Sequence, residues 1–163
     1  MPSSPFGTRF GHTEVIHKIL ASKVLLGHLQ NRHQLLDRPP SDLQDLSAED
    51  AALLIRAMIA AAHASGELDE GERGRIIRVM NTTVLGEEDR RRLENIMEDP
   101  QCLSTLLRQV VSPKMAARFY AVSLAAVDKD SMVNRAYLQY LALRLGLPAD
   151  LVVRLNRQIS LRT

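Results

Sequence analysis

Apolar positions in residues 53–80 follow a helical period twice, with a short polar break between the two runs. In the first run Leu54, Met58, Ala61 and Ala62 fall on one face of a helix, with Leu53 and Ala57 beside them. Small side chains at Ala60, Ala61, Ala62 and Ala64 let a neighbouring helix approach closely. Ser47-Ala48-Glu49-Asp50 matches a capping box and opens this helix. Gly66 stands just past its end, where a left-handed backbone is often required. Asp69 followed by Glu72 fits a second capping box. The helix that follows is predicted to turn Ile76, Ile77, Val79 and Met80 inward and Arg73, Arg75 and Arg78 outward.

A degenerate copy of this helix–turn–helix pattern returns at residues 120–145. After a one-residue gap in the turn, Ser65 aligns with Asp128, Glu72 with Asn134, Arg73 with Arg135 and Ile76 with Leu138. Both turns are acidic, through Glu67, Asp69, Glu70 and Glu72 in the first and Asp128 and Asp130 in the second. An open solenoid needs at least about three repeats. Two copies instead predict that the helix pairs pack on each other about a pseudo-twofold axis.

The rest of the chain reads as helix and connection. Residues 1–11 hold Pro2, Ser3, Ser4, Pro5, Gly7 and Gly11 and read as a loose arm. Residues 12–36 carry Val15, Ile16, Ile19, Leu20, Leu25, Leu26 and Leu29 at helical spacing. Asp37-Arg38-Pro39-Pro40 stops that helix, because a residue before proline avoids the helical region. Residues 37–46 form the linker, so the predicted division is an N-terminal arm, amphipathic helix and linker over 1–46 and a helical domain over 47–160. Within the domain a charged helix is predicted from Glu87 to about Glu98, and Asp99-Pro100 breaks the chain. A short helix follows over about 101–111, then one capped by Ser112 with Pro113 in its first turn. Ser131 caps the next helix, Gly146 ends it, and Pro148 opens the last, which carries Leu151, Val152, Leu155 and Ile159. The reading is all-α, with seven to eight helices in all and no convincing strand.

Composition supports this. Hydrophobic residues make up 45% of the chain but aromatics only 4%, with no tryptophan, so the core is built from aliphatic side chains and alanine, as suits helix on helix. The formal net charge of +2 gives no field that argues for nucleic acid. The Arg90-Arg91-Arg92 triplet follows three acids and reads as a solvated, ion-paired face. With Cys102 as the one cysteine no intramolecular disulfide can form, which fits a reducing compartment. Cys102 reads as a buried or bystander thiol, because no His–Asp partnership lies near it. The N-terminus shows no secretory pattern, and no apolar run approaches the ~20 residues needed to span a bilayer.

The residues LLIRAMIAAAHASGELDEGERGRI (53–76) and, more specifically, AARFYAVSLAAVDKDSMVNRAYLQYLALRLGLPADLVVRL (116–155) carry a family likeness. Over about residues 47–158 the chain resembles the TerB-like superfamily, named for a bacterial tellurite-resistance protein. Within it the chain is similar to a domain-of-unknown-function family found at the C-terminus of some bacterial inner-membrane proteins. The resemblance implies a compact all-α domain and divalent-metal binding through the acidic turns, with Glu72, Asp128 and Asp130 as the corresponding metal-site residues. Two positions depart from the family pattern. Ser65-Gly66 stands where Asp-Gly is usual, and Asn134 where an acidic residue is usual.

The chemistry readable from the residues themselves is sparse. An EF-hand counted from Asp128 would need glycine sixth and glutamate twelfth, where this chain has Val133 and Gln139. There is no P-loop, dinucleotide fingerprint or HExxH motif. His12 with His17 and His28 with His33 are each five residues apart, whereas helical zinc pairs prefer three or four. Carboxylates at helix starts serve mostly as caps. The expected function is a non-enzymatic TerB-like interaction module with a protein partner, tied by the resemblance to tellurite, metal or envelope stress, cytoplasmic or peripheral to the inner membrane. The alternative is a divalent-cation sensor using the acidic turns, with the metal as its cofactor.

Overall fold

The computed structural model describes residues 46–160. The predicted arm, the 12–36 helix with its histidines, and the linker up to residue 45 lie outside the described residues. Within them the chain forms seven helices and no strand: α1 (Ala48–His63), α2 (Glu70–Thr82), α3 (Glu87–Ile96), α4 (Leu103–Leu107), α5 (Pro113–Ala126), α6 (Met132–Leu145) and α7 (Ala149–Ser160). The helical domain is all-α, as its composition and periodicity predict.

Helix α1 is the centre of the domain. Its predicted apolar stripe proves too narrow: Ala51, Leu53, Leu54, Ile55 and every residue from Ala57 to Ala62 are buried. A helix apolar on nearly all sides is a core helix rather than a surface one. Its broadest contact is with α5, and small side chains on both (Ala57, Ala60, Ala61 and Ala62 on α1, Ala116 and Ala121 on α5) are buried between the larger ones. Phe119 and Leu124 of α5 fill the remaining space with Met58, Ile59 and Ile76. Full burial of such side chains contributes about 1.5–3 kcal/mol each.

The contacts between elements repeat the duplication. Each first helix packs on its own second helix, α1 on α2 and α5 on α6. Each also reaches the second helix of the other unit, α1 to α6 and α5 to α2. The two helix–turn–helix units therefore share one core and do not form separate domains. Helix α7 closes the far side by packing on α5, where Asn156 Nδ2 donates to the Tyr120 hydroxyl at 2.9 Å. At the other end of α1, the His63 ring pairs through Nε2 with the Met97 carbonyl at 2.9 Å and fixes the end of α3.

Several local expectations hold and several are corrected. Gly66 has φ 128° and Gly146 has φ 66°, the positive values that favour glycine after a helix. Ser112 caps α5 through its side chain, with Pro113 in the first turn. Ile77, expected to face inward, is 38% exposed, because it lies one residue, about 100° of turn, from Ile76 on the wheel. Arg73 and Arg75 are half-buried and engaged rather than solvated: Arg73 pairs with Glu98 at 2.6 Å, and Arg75 donates to the Ala126 carbonyl at 2.9 Å. The 101–111 helix shortens to α4, and its end relaxes into tight turns through Gln109 and Val110 ahead of Ser112-Pro113. Cys102 is exposed rather than buried.

The acidic turns and the outer face of α6

The first acidic turn is built by the start of α2. Asp69 is its N-cap and accepts from the Glu72 backbone N–H at 2.7 Å, while Glu72 Oε2 accepts from the Asp69 N–H at 3.1 Å. This reciprocal capping box satisfies two donors that a helix start leaves open. Glu72 is buried, and its carboxylate is thus committed to the backbone. The second turn is built at the start of α6 in the same register. Ser131 takes the place of Asp69 as N-cap, with a longer bond of 3.4 Å from the Asn134 N–H.

Asn134 takes the place of Glu72 and is likewise buried. Its Nδ2 donates to the Asp128 carbonyl at 3.0 Å, but its Oδ1 has no hydrogen-bond partner. Asparagine is one methylene shorter than glutamate, and no bond from the Ser131 backbone N–H to Asn134 Oδ1 closes a second capping box. Asp128 and Asp130 lie together in the exposed turn, where Asp128 Oδ1 accepts from the Asp130 N–H at 3.0 Å. Among the described residues no three His, Cys, Asp or Glu side chains form a group placed to hold a metal ion. The turn brings Asp128 and Asp130 together, and Glu72 does not group with them.

Other reactive groups are few. The exposed Cys102 thiol is lowered from its ordinary pKa, chiefly by the Thr105 side-chain hydroxyl and then by the Thr105 backbone. Burial pushes the Tyr120 hydroxyl up, partly offset by its bond to Asn156. Burial pushes Tyr137, on α6, up to about 12, and its hydroxyl oxygen has no hydrogen-bond partner.

The outer side of α6 is the feature that sequence reading missed. Met132 and Leu143 are each 78% exposed, Val133 is 53% exposed and Tyr140 48%. With the exposed Ala136 they form one stripe, because Met132, Ala136, Tyr140 and Leu143 follow at four, four and three residues. Asn134, Leu138, Leu141, Ala142 and Leu145 point to the core from the opposite side. The apolar content of α6 hid the division, since a helix apolar on both sides gives no periodic signal for its outer face. The register that aligns Ile76 with Leu138 places Glu70, Gly74, Arg78 and Asn81 at the stripe positions of α2, all exposed and none with an apolar side chain to match. Arg144 lies over the Tyr140 ring, 5.6 Å from its centre, and donates to its hydroxyl at the stripe's edge.

The family model for a protein of unknown function (DUF533) matches residues 17–159. A protein of Yersinia enterocolitica described as an uncharacterized protein in the ampR 5′ region is 27% identical over 97 residues, which cover 60% of this chain and 70% of that protein. No solved structure shows a significant match to the chain. The matched span takes in both helix–turn–helix units and every described helix up to Ile159, and on that extent the chain belongs to the DUF533 family.

Proposed function

We propose that this chain is a non-enzymatic, TerB-like protein-interaction domain that docks a protein partner on the outer face of α6. The observation that carries the reading is the exposed apolar stripe of Met132, Val133, Ala136, Tyr140 and Leu143. Apolar patches rimmed by polar residues mark docking sites on soluble domains. Arg135, Gln139 and Arg144 supply the rim here. The stripe is not a demand of the fold, because α2 carries polar residues and glycine at the same positions. Asp69 and Glu72 of the first turn are used as caps, which supports a scaffold role for them. The link to tellurite, metal or envelope stress rests on the TerB-like resemblance. In this reading the domain works in the cytoplasm or at the inner-membrane surface; among the described residues no helix is long and apolar enough to cross a membrane.

Photo-crosslinking in the native host tests this reading. A photoreactive residue at Leu143 is expected to capture protein, whereas one at exposed Arg91 on α3 is not. Equal capture at both positions, or none at Leu143, overturns it. Calorimetric titration with calcium, magnesium, manganese and zinc separates it from the cation-sensor alternative. Tight binding lost in Asp128→Ala and Asp130→Ala with the fold intact would promote the cation sensor.

A further inference from the structure

Resting on the α6 docking face, we propose that its occupant is the same face of a second copy of this chain, with the two α6 helices packed antiparallel about a twofold axis. A twofold interface must be self-complementary, each patch meeting its own copy in reverse. The stripe meets that condition. Reversing it sets Met132 against Leu143 and Ala136 against Tyr140, so that large aliphatic side chains meet at the ends and the small residue faces the aromatic ring near the centre. A close approach of two helices needs that pairing of small with large.

The charges meet the same condition. Exposed Asp128 and Asp130 stand in the turn just before α6, with Lys129 between them and exposed Arg135 in the first turns of the helix, and exposed Arg144 stands at its C-terminal end. Antiparallel packing brings Asp130 of one copy beside Arg144 of the other, at both ends of the interface. It also opposes the two helix dipoles. A partner surface of one sign would satisfy one member of the Asp130–Arg144 pair and repel the other. One helix face buries less than the about 800 Å² per partner of a standard stable interface, so the dimer is reversible and dissociates on dilution.

Sedimentation velocity of the 163-residue chain over a wide concentration range at low salt tests the proposal. The expected result is a shift from monomer toward dimer with rising concentration. Leu143→Glu should abolish the shift without lowering the melting temperature. Asp130→Arg and Arg144→Glu should each weaken association about tenfold, and the double variant should regain it. A monomer at every concentration overturns the proposal, as does failure of the double variant to regain association. A lower melting temperature in Leu143→Glu also overturns it, since the face would then be covered within one chain. Because these are measurements on purified protein, a monomer that still crosslinks to another protein through Leu143 in cells would end the dimer while leaving the interaction reading in place.

Discussion

The α1–α2 and α5–α6 units share an inner side and differ on the outer one. Inside, Ile76 and Leu138 are both buried, and so are Glu72 and Asn134 at the first turns of their helices. Outside, Glu70, Gly74, Arg78 and Asn81 of α2 correspond to Met132, Ala136, Tyr140 and Leu143 of α6. Folding into this domain constrains the inner positions through the common core. It leaves the outer positions free, as Glu70, Gly74, Arg78 and Asn81 demonstrate at those positions of α2. An apolar stripe at free positions costs solubility and returns nothing to the core, which is the support for the interaction proposal.

The largest test of the comparison concerns the inner side. If the two units are equivalent halves of one core, Ile76→Ala and Leu138→Ala should be destabilising to a similar degree, about 2–5 kcal/mol each, by lost burial plus the cavity left behind. Chemical denaturation of each variant, read by circular dichroism, measures this. A single cooperative transition should persist in both. A second transition, or a large loss in only one variant, would show that the units are stabilised separately.

What could be read from the sequence divides by range. Asp69, Ser112, Ser131 and Gly146 act within a few residues of themselves, and each stands in its expected capping role. The burial of α1 on nearly all sides depends on α5, about sixty residues away, and apolar spacing alone predicted only a stripe. Arg75 looked solvated because its partner, the Ala126 carbonyl, is 51 residues off. The capping box of Asp69 and Glu72 was legible from their spacing, whereas the metal-site reading of Glu72, Asp128 and Asp130 came from a resemblance, which carries residue types and no geometry. The outer face of α6 needed the structure, because its core-facing side is equally apolar.

A smaller effect is expected where the units join. Arg75 donates to Ala126 at the C-terminal end of α5, a place where a cation also meets the negative end of the helix dipole. Its counterpart in the second unit is Tyr137, whose hydroxyl oxygen is buried without a partner. Arg75→Met keeps most of the aliphatic stem and should cost about 1–2 kcal/mol. Tyr137→Phe should be neutral or slightly stabilising, since it removes a polar group that makes no bond. Tyr137 also offers a test in alkali. Burial raises Tyr137 from its ordinary 10.0 to about 12, so the folded chain keeps that proton after the unfolded chain has lost it. Its contribution is therefore present below pH ~10 and is lost as pH rises through about 12. Tyr137→Phe should lose less stability than the parent across that window, measured by urea titration at stepped pH. An identical decline in both would mean that the Tyr137 proton is not held by burial.

The smallest effects belong to the caps, where the units differ in completeness. Asp69→Ala removes one half of a closed capping box and should cost about 1–2 kcal/mol. Ser131→Ala removes a single bond of 3.4 Å and should cost less, about 0.5 kcal/mol. The sharper test is repair. Asn134→Gln lengthens the side chain by one methylene, enough for its carbonyl to reach toward the Ser131 backbone N–H as Glu72 reaches that of Asp69. Its amide nitrogen can still donate to the Asp128 carbonyl, the bond that Asn134 makes now. The buried acceptor would gain a partner, against the cost of fitting one more methylene into a closed site. Glu72 shows that the equivalent site of the first unit holds a side chain of that length while remaining buried. Asn134→Gln should therefore stabilise the domain by about 0.5 kcal/mol, seen as a small rise in the denaturation midpoint with an unchanged slope. It should also narrow the gap between the two caps, so that Ser131→Ala costs more in the Asn134→Gln background than in the parent. A fall in stability, or a cost of Ser131→Ala that does not change, would mean that the second turn is shaped by the Asn134–Asp128 bond rather than by a missing box.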